Sequence, residues 1–430
     1  MRVSYITGLA LVLIILVSAP AASAVTATFS APVLIGFPRG DDWEPDVAAD
    51  GNGNVYVAWA HYGDVPGCDT CSSPAALIQV SHDGGLTWGR PRPLNPFPRG
   101  TGDQYQIDLQ VAVNARGTVF VAYMDSKDTV VQRSDDFGET WSRQVPVNTD
   151  AKNSWTDKVG LAVQGADVYV SFSIAQRFYV ASSHDGGRTF TSTMINSRAK
   201  DTGWSLTSGG VVDSRGAVYF SWVGVHQSGN ALGPQEVFLT KSIDGGRTWS
   251  MITIAEDLPP GPSCPTYCGW DFWGPQMVVS ADAADAVYVA YNAGLADGGP
   301  PVVWLQASRD GGRTWSARTP VHADGVSRAY HLFPVIEGGL RGQVHVSWMD
   351  NRMGAFNVYY RTSEDGGATF GREVIVNANL GFRYQSDLGF EFTYGDYYGI
   401  ARDPWGGIHL AWGEGPDYIG PGNVFYARSR

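Results

Sequence analysis

Seven places along the 430-residue chain set aromatic side chains, in all but one beside Arg, Lys or Asp, ahead of a short β-branched run. The first is Phe37-Pro38-Arg39-Gly40-Asp41-Asp42-Trp43-Glu44; the second is Phe97-Pro98-Arg99-Gly100 with Asp103 and Tyr105. Trp155, Asp157 and Lys158 form the third, Trp204 marks the fourth, and Tyr267, Trp270, Asp271 and Trp273 make the fifth. Arg328, Tyr330 and His331 come next, followed by Arg383, Tyr384, Tyr394, Asp396, Tyr397 and Tyr398. Aromatic rings stack on the apolar face of a sugar and a guanidinium grips a carboxylate, so this mixture suits a glycan that carries an acid. The same aromatics also suit a structural role, capping the centre of a ring-shaped fold. Both readings stand at this point.

The elements that must hold these segments are written in two repeats. Six segments share Ser-x-Asp-x-Gly-x-Thr-(Trp/Phe), with aspartates at Asp83, Asp136, Asp185, Asp244, Asp310 and Asp365. Their separations of 53, 49, 59, 66 and 55 residues are those of propellers, solenoids and arrays. A second pattern, clearest as Val55-Tyr56-Val57-Ala58-Trp59, precedes each box; its other copies end at Tyr123, Phe172, Trp222, Tyr291, Trp348 and Trp412. Each copy follows a turn such as Asp50-Gly51-Asn52-Gly53 and reads as a strand entered from a hairpin.

Seven strand motifs against six boxes leave one repeat split between the chain ends. Phe425-Tyr426-Ala427-Arg428-Ser429 matches Tyr359-Tyr360-Arg361-Thr362-Ser363, which leads into a box. Thr28-Phe29-Ser30-Ala31 matches Thr314-Trp315-Ser316-Ala317, which leaves one. The C-terminus therefore supplies the third strand of a blade and the N-terminus its fourth, which closes the ring and leaves no free sheet edge. The expectation is an all-β fold: a single seven-bladed β-propeller over residues 25–430, closed by strand sharing in the last blade. The boxes read as structural. Their Ser and Asp satisfy turn amides, their glycines take angles other residues avoid, and their Trp or Phe packs between blades. Six equivalent aspartates do not make one active site. Asp50 to Asn54 lacks the glycine and distal carboxylate of a calcium loop and reads as a hairpin turn.

Composition excludes other classes. Lys+Arg number 30 against 42 Asp+Glu, for a net charge of −12, which offers no basic face to nucleic acid. Charged residues at 17% and hydrophobic ones at 43% exclude a disordered chain. Met1-Arg2, the apolar run Ile6 to Val17 and Ala22-Ser23-Ala24 read as a cleaved signal peptide over residues 1–24, with no stable membrane span left after its removal. The protein is then secreted, extracellular or periplasmic. In such a compartment Cys68 with Cys71, and Cys264 with Cys268, read as two local disulfides, a zinc site from all four being the alternative. No cofactor and no metal is expected, and the chain is expected to work as a monomer.

The repeats are Asp boxes, also called BNR repeats, and the chain resembles the secreted sialidase-like propeller proteins over essentially all of residues 25–430. Asp boxes also occur in xyloglucanases, sortilin-type receptors and non-catalytic proteins, so the resemblance speaks first to the fold. For a retaining exo-α-sialidase it implies an arginine triad holding the substrate carboxylate, a tyrosine nucleophile polarised by a glutamate, and an aspartate acid/base. Alignment on Ile408-His409-Leu410-Ala411-Trp412 puts the tyrosine at Tyr397, with Glu391 or Glu414 to polarise it. Arg39, Arg328 and Arg383 are the arginines, Asp41 or Asp42 the acid/base, and Trp43, Tyr105, Trp270, Tyr330 and Tyr384 the sugar contacts. The chain departs from the family in two ways. The Phe/Tyr-Arg-Ile-Pro motif is missing, because beside Pro45 the arginine position falls on Trp43 or Glu44. Seven blades also replace the usual six.

The expected function is removal of terminal sialic acid, or a related acidic sugar, from a glycan. The alternative is a non-catalytic propeller that binds glycans or proteins at a cell surface. A lyase acting on acidic polysaccharides would need a Tyr/His pair, for which Tyr330-His331 is the candidate.

Overall fold

The computed structural model describes residues 27–96, 105–149, 154–174, 177–196, 205–225, 235–259, 276–296, 299–324, 328–354, 356–377, 385–386, 389–390, 397–414 and 422–429. They form seven four-stranded antiparallel sheets and one two-residue hairpin. The innermost strands of blades 1 to 7 are Asp41–Ala49, Gln106–Val113, Asp157–Gln164, Ser205–Val212, Met277–Ala281, His331–Gly338 and Gly399–Arg402. Each packs against the next, and the last packs against the first. The expected seven-bladed propeller is the observed fold. Among the described residues no helix is long and apolar enough to cross a membrane.

The β-branched and aromatic runs form the second strands because a sheet between two neighbours buries both of its faces, so these segments read as continuous apolar stretches. Val55–Tyr62 is buried along nearly its whole length, and Trp59, Trp222, Trp348 and Trp412 are fully buried. Truncating a tryptophan in such a place costs about 3–5 kcal/mol.

Blade 7 closes as its sequence implies. Asn423–Arg428 is its third strand and Val33–Ile35 its fourth, with Val33 opposite Tyr426 and Ile35 opposite Val424. Glycine is required where blades crowd. A Cβ on Gly399 would lie 2.5 Å from the Val47 amide nitrogen of blade 1, and one on Gly338 would lie 2.0 Å from the Ala281 carbonyl.

The boxes turn the third strand into the outer one at the end of the ring where the first and second strands also meet. The Gly84 amide accordingly donates to the Gly53 carbonyl at 2.7 Å. In the second box Asp136 Oδ1 accepts from the Thr140 amide at 2.8 Å and Oδ2 from its hydroxyl at 2.6 Å. The Thr140 hydroxyl and amide, with the Ser134 hydroxyl, hold the Asp136 carboxyl down at about 2, and the equivalent bonds do so for Asp244. The loops leading into the innermost strands gather on the opposite face.

Candidate functional site

On that opposite face, five innermost strands break register at one level: Trp43 to Asp46, Ile107 to Gln110, Asp157 to Gly160, Thr207 to Gly210 and Leu332 to Val335. A bulge of this kind twists the strand and re-aims a side chain. The residue inside takes left-handed backbone: Glu44 at φ 54°, Asp108 at 57°, Lys158 at 52° and Phe333 at 52°. Left-handed backbone costs a non-glycine residue about 1 kcal/mol or more, and such strain gathers at functional sites.

In blades 1, 2 and 3 the bulge residue is charged, and the three side chains converge. Lys158 Nζ lies 3.7 Å from Glu44 Oε1 and 3.7 Å from Asp108 Oδ1. The Lys158 amide also donates to Asp108 Oδ2 at 3.0 Å. All three side chains are largely buried. Tyr397, on the lead into blade 7, reaches the same place. Its hydroxyl donates to the Leu109 carbonyl at 3.3 Å, and Lys158 Nζ lies 5.7 Å from its ring centroid. Four blades thus contribute one side chain each to the mouth of the central channel.

An aromatic pair stands on the leads into the innermost strands of blades 2 and 3. Tyr105 and Trp155 have ring centroids 5.0 Å apart, and Trp155 is 48% exposed, a face open to a ligand. Burial, with Asp157 nearby, pushes the Tyr105 hydroxyl up to about 12. Trp43 packs against Tyr62 at 5.0 Å instead of facing outward alone.

Below the mouth runs a channel of about 250 Å³ lined by Asp46, Gln110, Glu337, Tyr398 and Arg402 among apolar strand residues. Enclosure pushes the Glu337 carboxyl up to about 8, with Arg402 opposing and Asp46 reinforcing. It pushes Asp46 to about 7 against the hydrogen bond from the Val111 amide. A carboxyl raised by folding contributes stability below its unfolded value, and that contribution is lost as pH rises through the folded value. Wild type should therefore lose stability between about pH 4.5 and pH 8 through Glu337, and Glu337→Gln should lose on the order of 2 kcal/mol less. Urea midpoints at both ends of that range check it; parallel pH profiles would refute it.

The other residues expected from sequence are distributed as follows. Asp42 is fully buried in blade 1, accepting from Trp59 Nε1 at 2.6 Å and facing His61 Nδ1 at 2.7 Å. Glu414 is buried in blade 7, accepting from Trp412 Nε1 at 2.8 Å and from Asn377 at 2.9 Å. Burial pushes both carboxyls up. Asp350 likewise accepts from Trp348 Nε1 at 2.9 Å, so acids at this level hold the buried indoles in place. Arg39 and Arg328 are exposed. Tyr330 is half-buried, its amide donating to Asn351 Oδ1, and His331 is fully buried. Trp270, Arg383, Tyr384, Glu391, Cys264 and Cys268 lie outside the described residues. Cys68 and Cys71 form a disulfide. The meeting of Glu44, Asp108 and Lys158 escapes sequence reasoning, whose only signal was a charged residue two positions before Asp46, Gln110 and Gly160.

The BNR/Asp-box repeat family matches at residues 132–143, which span the second box. No curated protein matches the chain. Among solved structures, a protein of unknown function from Dyadobacter fermentans aligns at TM-score 0.53 and 15% identity, covering 94% of this chain and 99% of that one. A PL25 ulvan lyase bound to a GlcA–Rha3S saccharide aligns at 0.56 and 12%, covering 92% and 95%. The NanB sialidase of Streptococcus pneumoniae aligns at 0.50 and 12%, covering 94% and 70%. At these identities the likeness is one of fold.

Proposed function

We propose that this chain is an exported propeller that acts on glycans at the channel mouth around Tyr397. The observation that carries the reading is the meeting of Tyr397, Lys158, Glu44 and Asp108, with the exposed Trp155 three residues ahead of Lys158 in the chain. A phenol, a cation, two carboxylates and an aromatic platform are the parts that bind a sugar and move protons on it. Export fits the Cys68–Cys71 disulfide, which persists in an oxidising compartment.

For the chemistry, hydrolysis of sialidase type is the reading that uses the tyrosine. One carboxylate takes the phenol proton as the Tyr397 oxygen attacks the anomeric carbon, a second, in its acid form, protonates the departing oxygen, and water then releases the sugar. A neutral phenol avoids repulsion by the carboxylate of the substrate, and Lys158 Nζ lies over its ring. Glu44 and Asp108 are the carboxylates on hand.

A specific observation favours a second reading. Lys158 already faces two carboxylates, so the described group carries one net negative charge and repels an acidic sugar unless a further cation joins it. A non-catalytic propeller that stacks neutral or basic sugars on Trp155 fits that charge.

Release of 4-methylumbelliferone from its α-sialoside by residues 25–430 separates the two. Turnover carries the sialidase reading. Its absence at high enzyme concentration, together with glycan binding that Trp155→Ala loses, carries the second. A chain that shows neither turnover nor binding loses the glycan assignment altogether.

A further inference from the structure

We propose that the outer seam between blades 1 and 2 is a second saccharide site, taking a sugar that carries a carboxylate or a sulfate. The outer strands here, Arg92–Pro93 and Val145–Pro146, are two residues long, against four in blade 3 and nine in blade 4. Such short strands leave the rim between them uncovered. A cavity of about 710 Å³ opens there, within the range of about 300–1,000 Å³ that small-molecule sites occupy. Arg92, Glu139, Trp141, Arg143 and Gln144 are among its lining residues. The inference does not rest on the group around Tyr397.

The lining offers hydrogen-bonding groups that the protein itself does not use. Arg92 gives Nη1 to the Glu139 carbonyl at 3.0 Å and to the Glu139 carboxylate at 2.9 Å, which fixes its side chain across the seam. Among the described residues its Nε and Nη2 have no partner, and the exposed guanidinium of Arg143 has none at all. Gln144 spends both amide protons, one on the Tyr123 hydroxyl at 2.7 Å and one on the Asp125 carboxylate. Its carbonyl oxygen is left as an acceptor. Trp141 is half-buried, packed on the core shared by blades 1 and 2 and forming part of the cavity wall.

The chemistry of this set is that of an acidic sugar. A planar guanidinium fork grips a carboxylate or sulfate, an aromatic wall takes the apolar face of the ring, and an amide oxygen takes a hydroxyl. Arg92 and Arg143 against Glu139 leave the lining at +1, on a chain that carries −12 overall. That sign is opposite to the one at the channel mouth, where Lys158 faces two carboxylates.

The repeat shows that neither guanidinium is needed by the scaffold. In blade 2 the Ser142 hydroxyl accepts the Arg133 amide at 3.1 Å and donates to the Arg143 carbonyl at 3.0 Å. Ser316 makes the same two bonds in blade 5, accepting the Ala307 amide at 3.1 Å and donating to the Ala317 carbonyl at 2.9 Å. The residue after the serine is thus arginine in one blade and alanine in the other, within the same turn. Likewise Arg92 stands opposite Ile78 where blade 5 sets Thr319 opposite Leu305.

The test is calorimetric titration of tetragalacturonate, sulfated dextran and neutral maltotetraose into residues 25–430. Arg143→Ala and Arg92→Thr put in the residues that blade 5 uses at these places, so both variants are expected to fold, and thermal unfolding verifies it. Wild type should bind an anionic probe and not maltotetraose. Each variant should weaken that binding about 10-fold or more, the loss of a charge-assisted pair, while Trp155→Ala leaves it unchanged. The tighter of the two anions then names the acidic group. Wild type that binds neither anion, or binds maltotetraose equally, overturns the proposal. So does binding that either folded variant keeps in full or that Trp155→Ala loses, since both results place the saccharide elsewhere.

Discussion

Tyr397→Phe should cut turnover of an α-sialoside by about 10³-fold or more while leaving the propeller folded. The substitution removes one oxygen and, with it, a hydrogen bond to the Leu109 carbonyl worth about 1 kcal/mol. A ring shared among four blades tolerates that loss. The catalytic consequence is far larger if the oxygen is the nucleophile, because the phenyl ring left behind has no atom that can form the covalent intermediate. The fall should appear in kcat, with KM little changed, since the phenylalanine keeps the ring beneath Lys158. Steady-state kinetics of both proteins, with thermal unfolding alongside, decides the matter. A Phe variant within a few-fold of wild type would take the nucleophile role away from Tyr397.

Removal of residues 27–35 should abolish cooperative folding. This segment is the outer strand of blade 7, paired with Asn423–Arg428 along Val33, Leu34 and Ile35, with a further bridge from Phe29 to Ser429. The Phe29 ring also meets Tyr360 edge-on at 5.0 Å, which ties the closing strand to blade 6. Without it Val424 and Tyr426, both fully buried, lose their cover, and a long sheet edge opens to other chains. Ile35 is fully buried, and Ile35→Ala alone should cost about 2–5 kcal/mol, a large part of an ordinary stability margin of about 5–15 kcal/mol. Thermal unfolding of Ile35→Ala, and size-exclusion chromatography of the truncated chain, provide the check. A truncated chain that stays monomeric and melts like wild type would show that the ring does not depend on its closure.

The architecture was legible because its determinants are local and repeated. Each box turn is made by a serine, an aspartate, a glycine and a threonine within eight residues, so the motif and the turn are one object. Each second strand has apolar residues on both faces for the same reason in every blade, and the split repeat at the termini reveals the closure before any contact is known.

The partners of Tyr397 were decided by tertiary structure alone. Glu44, Asp108 and Lys158 are far apart in sequence and meet only because three bulges fall at one level of a closed ring. A left-handed angle at a non-glycine residue leaves no mark in composition or periodicity. Asp42 and Glu414 show the converse: both look accessible in sequence, yet each faces a tryptophan indole that needs an acceptor once it is buried. Local periodicity determines that a propeller forms. Which of its charged residues reach the channel mouth depends on which buried donors claim the others, and that is settled only when the blades close around the channel.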